Sequence, residues 1–323
     1  NNNEPVTAST VYDIASVTKI AATTLAVMKL YDEGKIELKK KLGDYLPLVK
    51  GTNKENLVID NILLHQAGLV PFIPFYKETI DPFGKPYQNC YSPTYSDSFK
   101  TNVAYNLFLR NDWKDTMYKR ILESPVTPAN KYVYSDNDFI FLGKIVETIT
   151  GMSLDAYVKK IFYQPLGLKS IGFKPREYMP LSNIAPTEQE KDFRLQLIRG
   201  DVHDPGAAMF GGVAGHAGLF SNAYDLTVIM QMLLNGGVYD GKRYLKSETI
   251  SLFTDYHSAV SRRGYGFDKP EKDNDTRSEP YPCLSASAQT FGHTGFTGTC
   301  VWADPKQNLV YVFLSNRISP NGG

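Results

Sequence analysis

Ser16 and Lys19 stand three residues apart at the head of SVTKIAATTLAVMKLYDE, a run whose Ile20, Thr24, Val27 and Leu30 recur at helical steps and which closes at Gly34. On a helix, positions i and i+3 share a face, so this hydroxyl and this amine can share a hydrogen bond. A serine hydroxyl is a poor nucleophile at neutral pH, and an adjacent, partly desolvated amine can take its proton. The unpaired N–H groups of a helix start would stabilise an oxyanion forming beside Ser16. The chemistry this pair offers is acyl transfer through a serine ester. Alone, S-x-x-K is a weak signal, because a capping serine followed by a solvated lysine has the same spelling.

Two further motifs strengthen it. Tyr134, Ser135, Asp136 and Asn137 precede a helical stretch, where polar side chains can project into a cleft. Gly292, His293, Thr294, Gly295 and Phe296 open a strand in which a small residue lets substrate lie against the backbone. S-x-x-K, S-D-N and a third block with His293 in the lysine position of K-T-G follow in that order. The sequence thus resembles the serine β-lactamase and penicillin-binding protein superfamily, in the class C-like branch that includes D,D-peptidases and esterases. The blocks TVYDIASVTK, LLHQAGL, YSDNDFIFLGKIVE, GDVHDPGAAMFGGVAGHAGLFSNAYDL, RRGYGFD, FGHTGFTGTCVWADP and FLSNR carry the resemblance from residue 10 to residue 317. It also looks like the domain fused behind a glycoside hydrolase in Bacteroides-type gut bacteria.

The resemblance implies an α+β, β-lactamase/transpeptidase-like fold: an antiparallel sheet flanked by helices, plus a helical subdomain. On that basis residues 1–323 form one domain, with the helical subdomain at about 50–220, the sheet subdomain from about 255 to 323 and helix 16–33 between them. It implies Ser16, Lys19 and Tyr134 as catalytic residues and the N–H groups of Ser16 and Phe296 as the oxyanion hole. Asp136, His293, Thr294, Gly295 and His216 would contact substrate, with no metal and no cofactor. The expected substrates are β-lactams, D-Ala-type peptides or esters, in the periplasm or outside the cell. A module that binds penicillin or cell-wall fragments with little turnover is the alternative.

Three departures from the family pattern carry expectations. The branch normally has Tyr-x-Asn, which selects Tyr134 and Asp136, whereas the class A register would select Ser135 with Asn137. The neighbouring blocks favour Tyr134. An ionised Asp136 offers only acceptors, so it can pair with Lys19, keep the amine charged and shift the base role toward Tyr134. His293 removes a permanent positive charge from the place where relatives hold a substrate carboxylate, which favours an ester or another uncharged acyl substrate. The family also starts with a helix and two strands before YDIASVTK and ends with a long helix after LSNR, so a piece with exposed sheet edges is expected.

The elements that must position these residues follow from pattern. Helices are expected over Leu57 to His65 with a stop at Gly68, Asp138 to Thr150, Leu154 to Tyr163 and Ala223 to Leu234. Five prolines and many aromatics make residues 70–116 a long irregular excursion. Its Phe72, Phe75, Tyr76, Phe83, Tyr87, Tyr91 and Tyr95 either clasp a sugar or glue the loop to the body. β-Branched and aromatic runs make the C-terminal end an antiparallel sheet, and a sheet built largely from both chain ends is expected.

With 323 residues, 42% hydrophobic and 21% charged, the chain has the composition of a folded globular protein. Lys plus Arg number 35 against 34 for Asp plus Glu, so no basic surplus points to nucleic acid or an anionic membrane. No apolar run approaches the ~20 residues of a membrane span, and NNNEPVTAST lacks the pattern of a signal peptide. Cys90, Cys283 and Cys300 are scattered, which fits buried thiols better than a disulfide framework. His203, Asp204 and His216 match no zinc spacing and read as loop-stabilising groups. GGVAGHAG is a tight turn near the substrate, His65 a helix-end residue, and the absence of G-x-S-x-G removes the α/β-hydrolase route to a nucleophilic serine.

Overall fold

The computed structural model describes residues 4–128, 131–320 and 322. Residues 1–3 of the polar start lie outside the described residues. The segment bearing Ser16 and Lys19 runs through the middle of the core, where Ile20, Ala22, Leu25, Val27, Met28 and Leu30 are buried. An element apolar all round belongs inside, and this one is enclosed on every side. It is not one continuous α-helix, as its periodicity suggested. A 3-10 turn spans Ala15–Val17, a π-helical stretch Lys19–Thr24, and regular α-helix only Leu25–Asp32, ending before Gly34 at φ +67°. π-Helical insertions are rare and concentrate at functional sites.

Against this element packs the helix Asp136–Thr150, which starts two residues earlier than its apolar pattern indicated and ends at Gly151 with φ +67°. The helix Ala223–Leu234 falls where the sequence put it, and the helix expected over Leu57 to His65 shrinks to Ile59–Leu63. The stretch Leu154 to Tyr163 divides into α-helix Leu154–Val158 and a π-helical turn Lys159–Tyr163.

The excursion at 70–116 is more ordered than its composition suggested. Strands Tyr91–Ser92, Leu107–Leu109 and Thr101–Ala104 form a three-stranded antiparallel sheet in that order, followed by the helix Trp113–Glu123. Strands of two to four residues are too short to show a period. Its aromatics split: Phe75 and Tyr91 are buried, with Tyr76 and Tyr91 packing on Phe193, whereas Phe72, Phe83 and Tyr95 are exposed.

At the C-terminal end, Phe291–Gly295, Thr299–Asp304 and Leu309–Phe313 form an antiparallel sheet with His293 opposite Val301 and Trp302 opposite Tyr311. The helix Ala223–Leu234 covers one face of it. The N-terminal strand does not join this sheet, contrary to expectation. Tyr12–Asp13 pairs instead with Leu219–Ser221, which also pairs with Gly172–Phe173. Side chains make the link to the terminal sheet, because Thr297 Oγ1 donates to the Asp13 carbonyl (2.7 Å) and Thr299 Oγ1 to that of Ile14 (3.1 Å). The three cysteines are free: Cys90 is buried, Cys283 exposed and Cys300 half-buried. No helix among the described residues is long and apolar enough to cross a membrane.

Candidate active site

Ser16 sits in the 3-10 turn, directly after Ala15, whose φ of +45° is left-handed. That conformation costs a non-glycine residue roughly 1–2 kcal/mol. Asp13 holds it there: Oδ1 accepts from the Ala15 N–H (2.8 Å) and Oδ2 from the His203 N–H (2.6 Å). The bend carries Ser16 to a half-exposed position while Lys19, one turn on, is fully buried.

Lys19 Nζ donates to Ser16 Oγ (2.9 Å), Asp136 Oδ1 (2.8 Å) and the His216 carbonyl (3.2 Å). An ammonium has three donors, and all three are engaged. Burial acts to lower the Lys19 value, but the Asp136 carboxylate, and then Tyr134, more than offset it, so the amine is held above its ordinary range. The pairing therefore favours the amine as a cation that donates to Ser16. Of the two roles the sequence left for it, the structure supports the charged one.

The approach of His216 depends on Gly215. A Cβ at Gly215 would stand 1.9 Å from the Phe139 carbonyl, so only glycine lets the GGVAGHAG loop lie against the helix Asp136–Thr150 and aim the next carbonyl at Lys19. The loop's role is this packing. The His216 imidazole points elsewhere, its Nε2 2.9 Å from Asp204 Oδ1.

The register question at Tyr134–Asn137 resolves by burial. Ser135 is fully buried and caps the helix, its Oγ accepting from the Asn137 N–H (3.2 Å) and donating to the Val70 carbonyl (2.6 Å). Asn137 Nδ2 donates to the same carbonyl (2.9 Å). Tyr134 and Asp136 flank this cap and turn to the nucleophile: the Tyr134 ring centroid lies 4.9 Å from Lys19 Nζ. Behind Tyr134, at 4.5 Å between ring centroids, is His65, which is buried and 2.8 Å from Asp138 Oδ2. Burial, then Arg263 and Lys19, keep the His65 imidazole well below its ordinary value, and burial with Asp136 keeps the Asp138 carboxyl well above its own.

The terminal strand supplies the opposite wall. His293 is 2% exposed and its successor Thr294 is exposed, as alternation along a strand requires. Phe296, in the hairpin turn, is exposed and stacks on His203 at 5.8 Å. Gly295 departs from its expected role. A Cβ there would meet Thr299 Oγ1 at 2.3 Å and the Ile14 carbonyl at 2.4 Å, so its bareness brings the strand against the nucleophile's own segment and does not face substrate.

A cation stands behind His293, itself 3.5 Å from the Asp268 carboxylate. Arg263, 4% exposed, donates from Nη1 to His293 Nε2 (3.1 Å), and His293 Nδ1 donates to the Thr294 carbonyl (2.6 Å). The first of these bonds needs a ring whose Nε2 is bare, and the second puts the proton on Nδ1, so the pair fits the neutral imidazole. Burial, then Arg263 and Lys19, push the His293 imidazole down to about 3. The Arg263 guanidinium also lies 5.4 Å from the Tyr134 ring centroid. It belongs to the RRGYGFD block and was overlooked; its one sequence signal was a basic pair inside a matching block.

Of the suspected metal group, His203 is not with the others, since its Nε2 lies 2.6 Å from Glu188. Asp136, Asp204 and His216 do place one ligand atom each within 4.8 Å of one another. The Lys19 ammonium already holds Asp136 at 2.8 Å, so a divalent ion there would face a cation at contact range.

A hydroxyl hydrogen-bonded to a buried ammonium, between a capped helix and a β-strand, on a helical and antiparallel α+β scaffold, defines a serine hydrolase of the β-lactamase/transpeptidase-like fold. The model of the family described as Beta-lactamase matches residues 1–323, and the chain belongs to that family. A Salmonella paratyphi A protein named "Putative D-alanyl-D-alanine carboxypeptidase" is 36% identical over 332 residues, covering 96% of this chain and 70% of its own. A penicillin-binding protein homologue from Caulobacter crescentus shares the fold at TM-score 0.67 and 22% identity, covering 97% of this chain and 79% of its own. A class C β-lactamase from Rhodobacter sphaeroides does so at TM-score 0.65 and 17% identity, with 98% and 83% covered.

Proposed function

We propose that the protein hydrolyses peptides of the D-alanyl-D-alanine type through a covalent acyl-enzyme on Ser16. The observation that carries this reading is the saturated Lys19 ammonium, which donates to Ser16 Oγ and leaves the serine O–H free for another acceptor. Tyr134 is that acceptor. Tyr134 takes the Ser16 proton as its phenolate, whose negative charge has Lys19 and Arg263 beside the ring, 4.9 and 5.4 Å from its centroid, and the transfer leaves a neutral phenol. Ser16 Oγ bonds to the peptide carbonyl carbon, and the oxyanion is met by the N–H groups of Ser16 and Phe296. The C–N bond then breaks, with the proton moving from Tyr134 to the departing amine. Water repeats the sequence: its proton goes to Tyr134, the ester breaks, and Ser16 regains its hydrogen.

Arg263 favours a substrate ending in a free carboxylate, which reverses the preference for uncharged esters that His293 alone suggested. Thr294, exposed next to His293 on the strand Phe291–Gly295, would share that carboxylate. Such peptides occur in bacterial cell walls, so a periplasmic or extracellular setting goes with the reading, as would a fused glycoside hydrolase acting on the same polymer.

The test is D-alanine release from acetylated D-alanyl-D-alanine peptides, with mass spectrometry of the protein after incubation with penicillin. Turnover and a Ser16 adduct, both lost in Ser16→Ala, are expected; full activity in that variant would refute the assignment. The second reading, a slow-reacting binding module, is favoured by Asp136 holding Lys19 charged. Its mark is a lasting Ser16 adduct without turnover.

A further inference from the structure

Tyr134 is gripped by one residue behind it. The Val133 N–H donates to the His65 carbonyl (2.9 Å) and the Ser135 N–H to His65 Nδ1 (3.2 Å), so the neighbours of Tyr134 on both sides are bonded to His65. The imidazole also lies against the Tyr134 ring, 4.5 Å between centroids. To do this His65 takes a left-handed backbone, φ +56°, which a residue with a Cβ holds only where its surroundings fix it.

A second contact to the same nitrogen fixes the protons. Asp138 Oδ2 is 2.8 Å from His65 Nδ1, and both residues are 1% exposed. Nδ1 already faces a backbone N–H, which can only donate, so this nitrogen is bare and Asp138 brings the hydrogen. An imidazolium, or a ring protonated at Nδ1, would set its own N–H against that of Ser135. Asp138 Oδ1 has no partner among the described residues, a lesser cost for the C=O of a neutral acid than for a carboxylate. The ring hydrogen then rests on Nε2, which has no partner either. The surrounding groups act in the same sense. Burial and the Asp136 carboxylate keep Asp138 protonated against the pull of Lys19, and burial with Arg263, Lys19 and His293 keeps the imidazole uncharged. Tyr134 and Tyr132 complete the ring's titratable neighbours.

We propose that His65 is a positioning residue for Tyr134, locked as its Nε2–H tautomer by a neutral Asp138 that donates to Nδ1. The inference rests on the reading in which Tyr134 handles the Ser16 proton, and it adds the pair that holds Tyr134 in place. The pair touches no substrate. It acts through the position of the Tyr134 oxygen, on which the proton transfer depends.

NMR of the full chain labelled with ¹⁵N-histidine reads the tautomer without substrate, the His65 signals being assigned by their loss in His65→Asn. A bare Nδ1 and a protonated Nε2 are expected at neutral pH; a ring protonated on both nitrogens, or on Nδ1 alone, overturns the proposal. Kinetics separates positioning from folding. Asp138→Asn keeps a donor for Nδ1, whereas Asp138→Leu, of similar size, has none. In D-alanine release from acetylated D-alanyl-D-alanine peptides, Asp138→Leu should lose about tenfold in kcat at unchanged KM, and Asp138→Asn should recover most of it. An asparagine cannot ionise, so Asp138→Asn should melt no lower than wild type at neutral pH. Its advantage should grow as pH rises above the ordinary carboxyl value of about 3.9, because there the folded wild type must hold a proton that the unfolded chain releases. A markedly lower melting point for Asp138→Asn, the mark of a lost ion pair, or equal kcat losses in the two variants, overturns the proposal. Unchanged kcat in Asp138→Leu, with an active wild type, overturns the role of His65 alone. A wild type with neither turnover nor a Ser16 adduct sinks the acyl-transfer reading and that role with it.

Discussion

Replacing His293 by lysine restores the family's third motif in spelling, and the structure makes it harmful. Arg263 Nη1 is 3.1 Å from His293 Nε2, and the two residues are 4% and 2% exposed. A lysine ammonium in this space stands about 4 Å from the guanidinium, and at an effective dielectric of about 20 two like charges there repel by about 4 kcal/mol. A typical domain has a net stability of about 5–15 kcal/mol, so His293→Lys should be severely destabilised. Removing the other cation should relieve it: Arg263→Gln leaves Asp268 with Arg262 (2.7 and 3.1 Å) and Tyr281 (2.7 Å), so no carboxylate is orphaned. Urea unfolding of wild type, both single variants and the double variant closes a thermodynamic cycle. The double variant should exceed the sum of the singles by about 2–4 kcal/mol, and it should regain the use of carboxylate-terminated peptides that Arg263→Gln loses. Additivity within about 0.5 kcal/mol would refute the argument that Arg263 and the family lysine are alternative sources of one charge.

Other expectations follow from the same geometry. Asp136→Asn takes the counterion from a fully buried Lys19, so the amine drifts toward neutrality; penicillin acylation, followed with a fluorescent penicillin, should speed up while stability falls by about 3 kcal/mol, and an unchanged rate discards this account of Asp136. Gly295→Ala forces a methyl into the Ile14 carbonyl and should move the strand enough to lower kcat by about a hundredfold, with near-wild-type kcat as the contrary result. His293 is held neutral in the fold down to about pH 3, whereas in the unfolded chain it protonates near 6.5. The unfolded state therefore binds the extra proton, and as pH falls through 6.5 toward 3 the wild type should lose up to about 1.4 kcal/mol per pH unit relative to His293→Gln. Parallel stability–pH curves for the two would count against a buried neutral ring.

How much was legible in the sequence depended on distance along the chain. The Ser16–Lys19 contact, the helix Ala223–Leu234 and the glycine stops at Gly34 and Gly151 are local, set by spacing and by the few residues that tolerate a left-handed backbone. The pairing of Asp136 with Lys19 was readable because an ionised carboxylate near a buried amine has one obvious partner. What only the tertiary structure decided is non-local. Ser135 became a buried cap, and the choice between Tyr134 and Ser135 followed from which side of the helix start met Val70. Arg263 reached His293 across thirty residues, bringing a cation behind the third motif. Gly295 and Gly215 proved to be points where two backbones meet, which no single strand or loop can reveal. Sequence spacing sets which atoms one element can bring together, whereas the value of a charge depends on burial and on partners from other elements, and both exist only once the chain has packed.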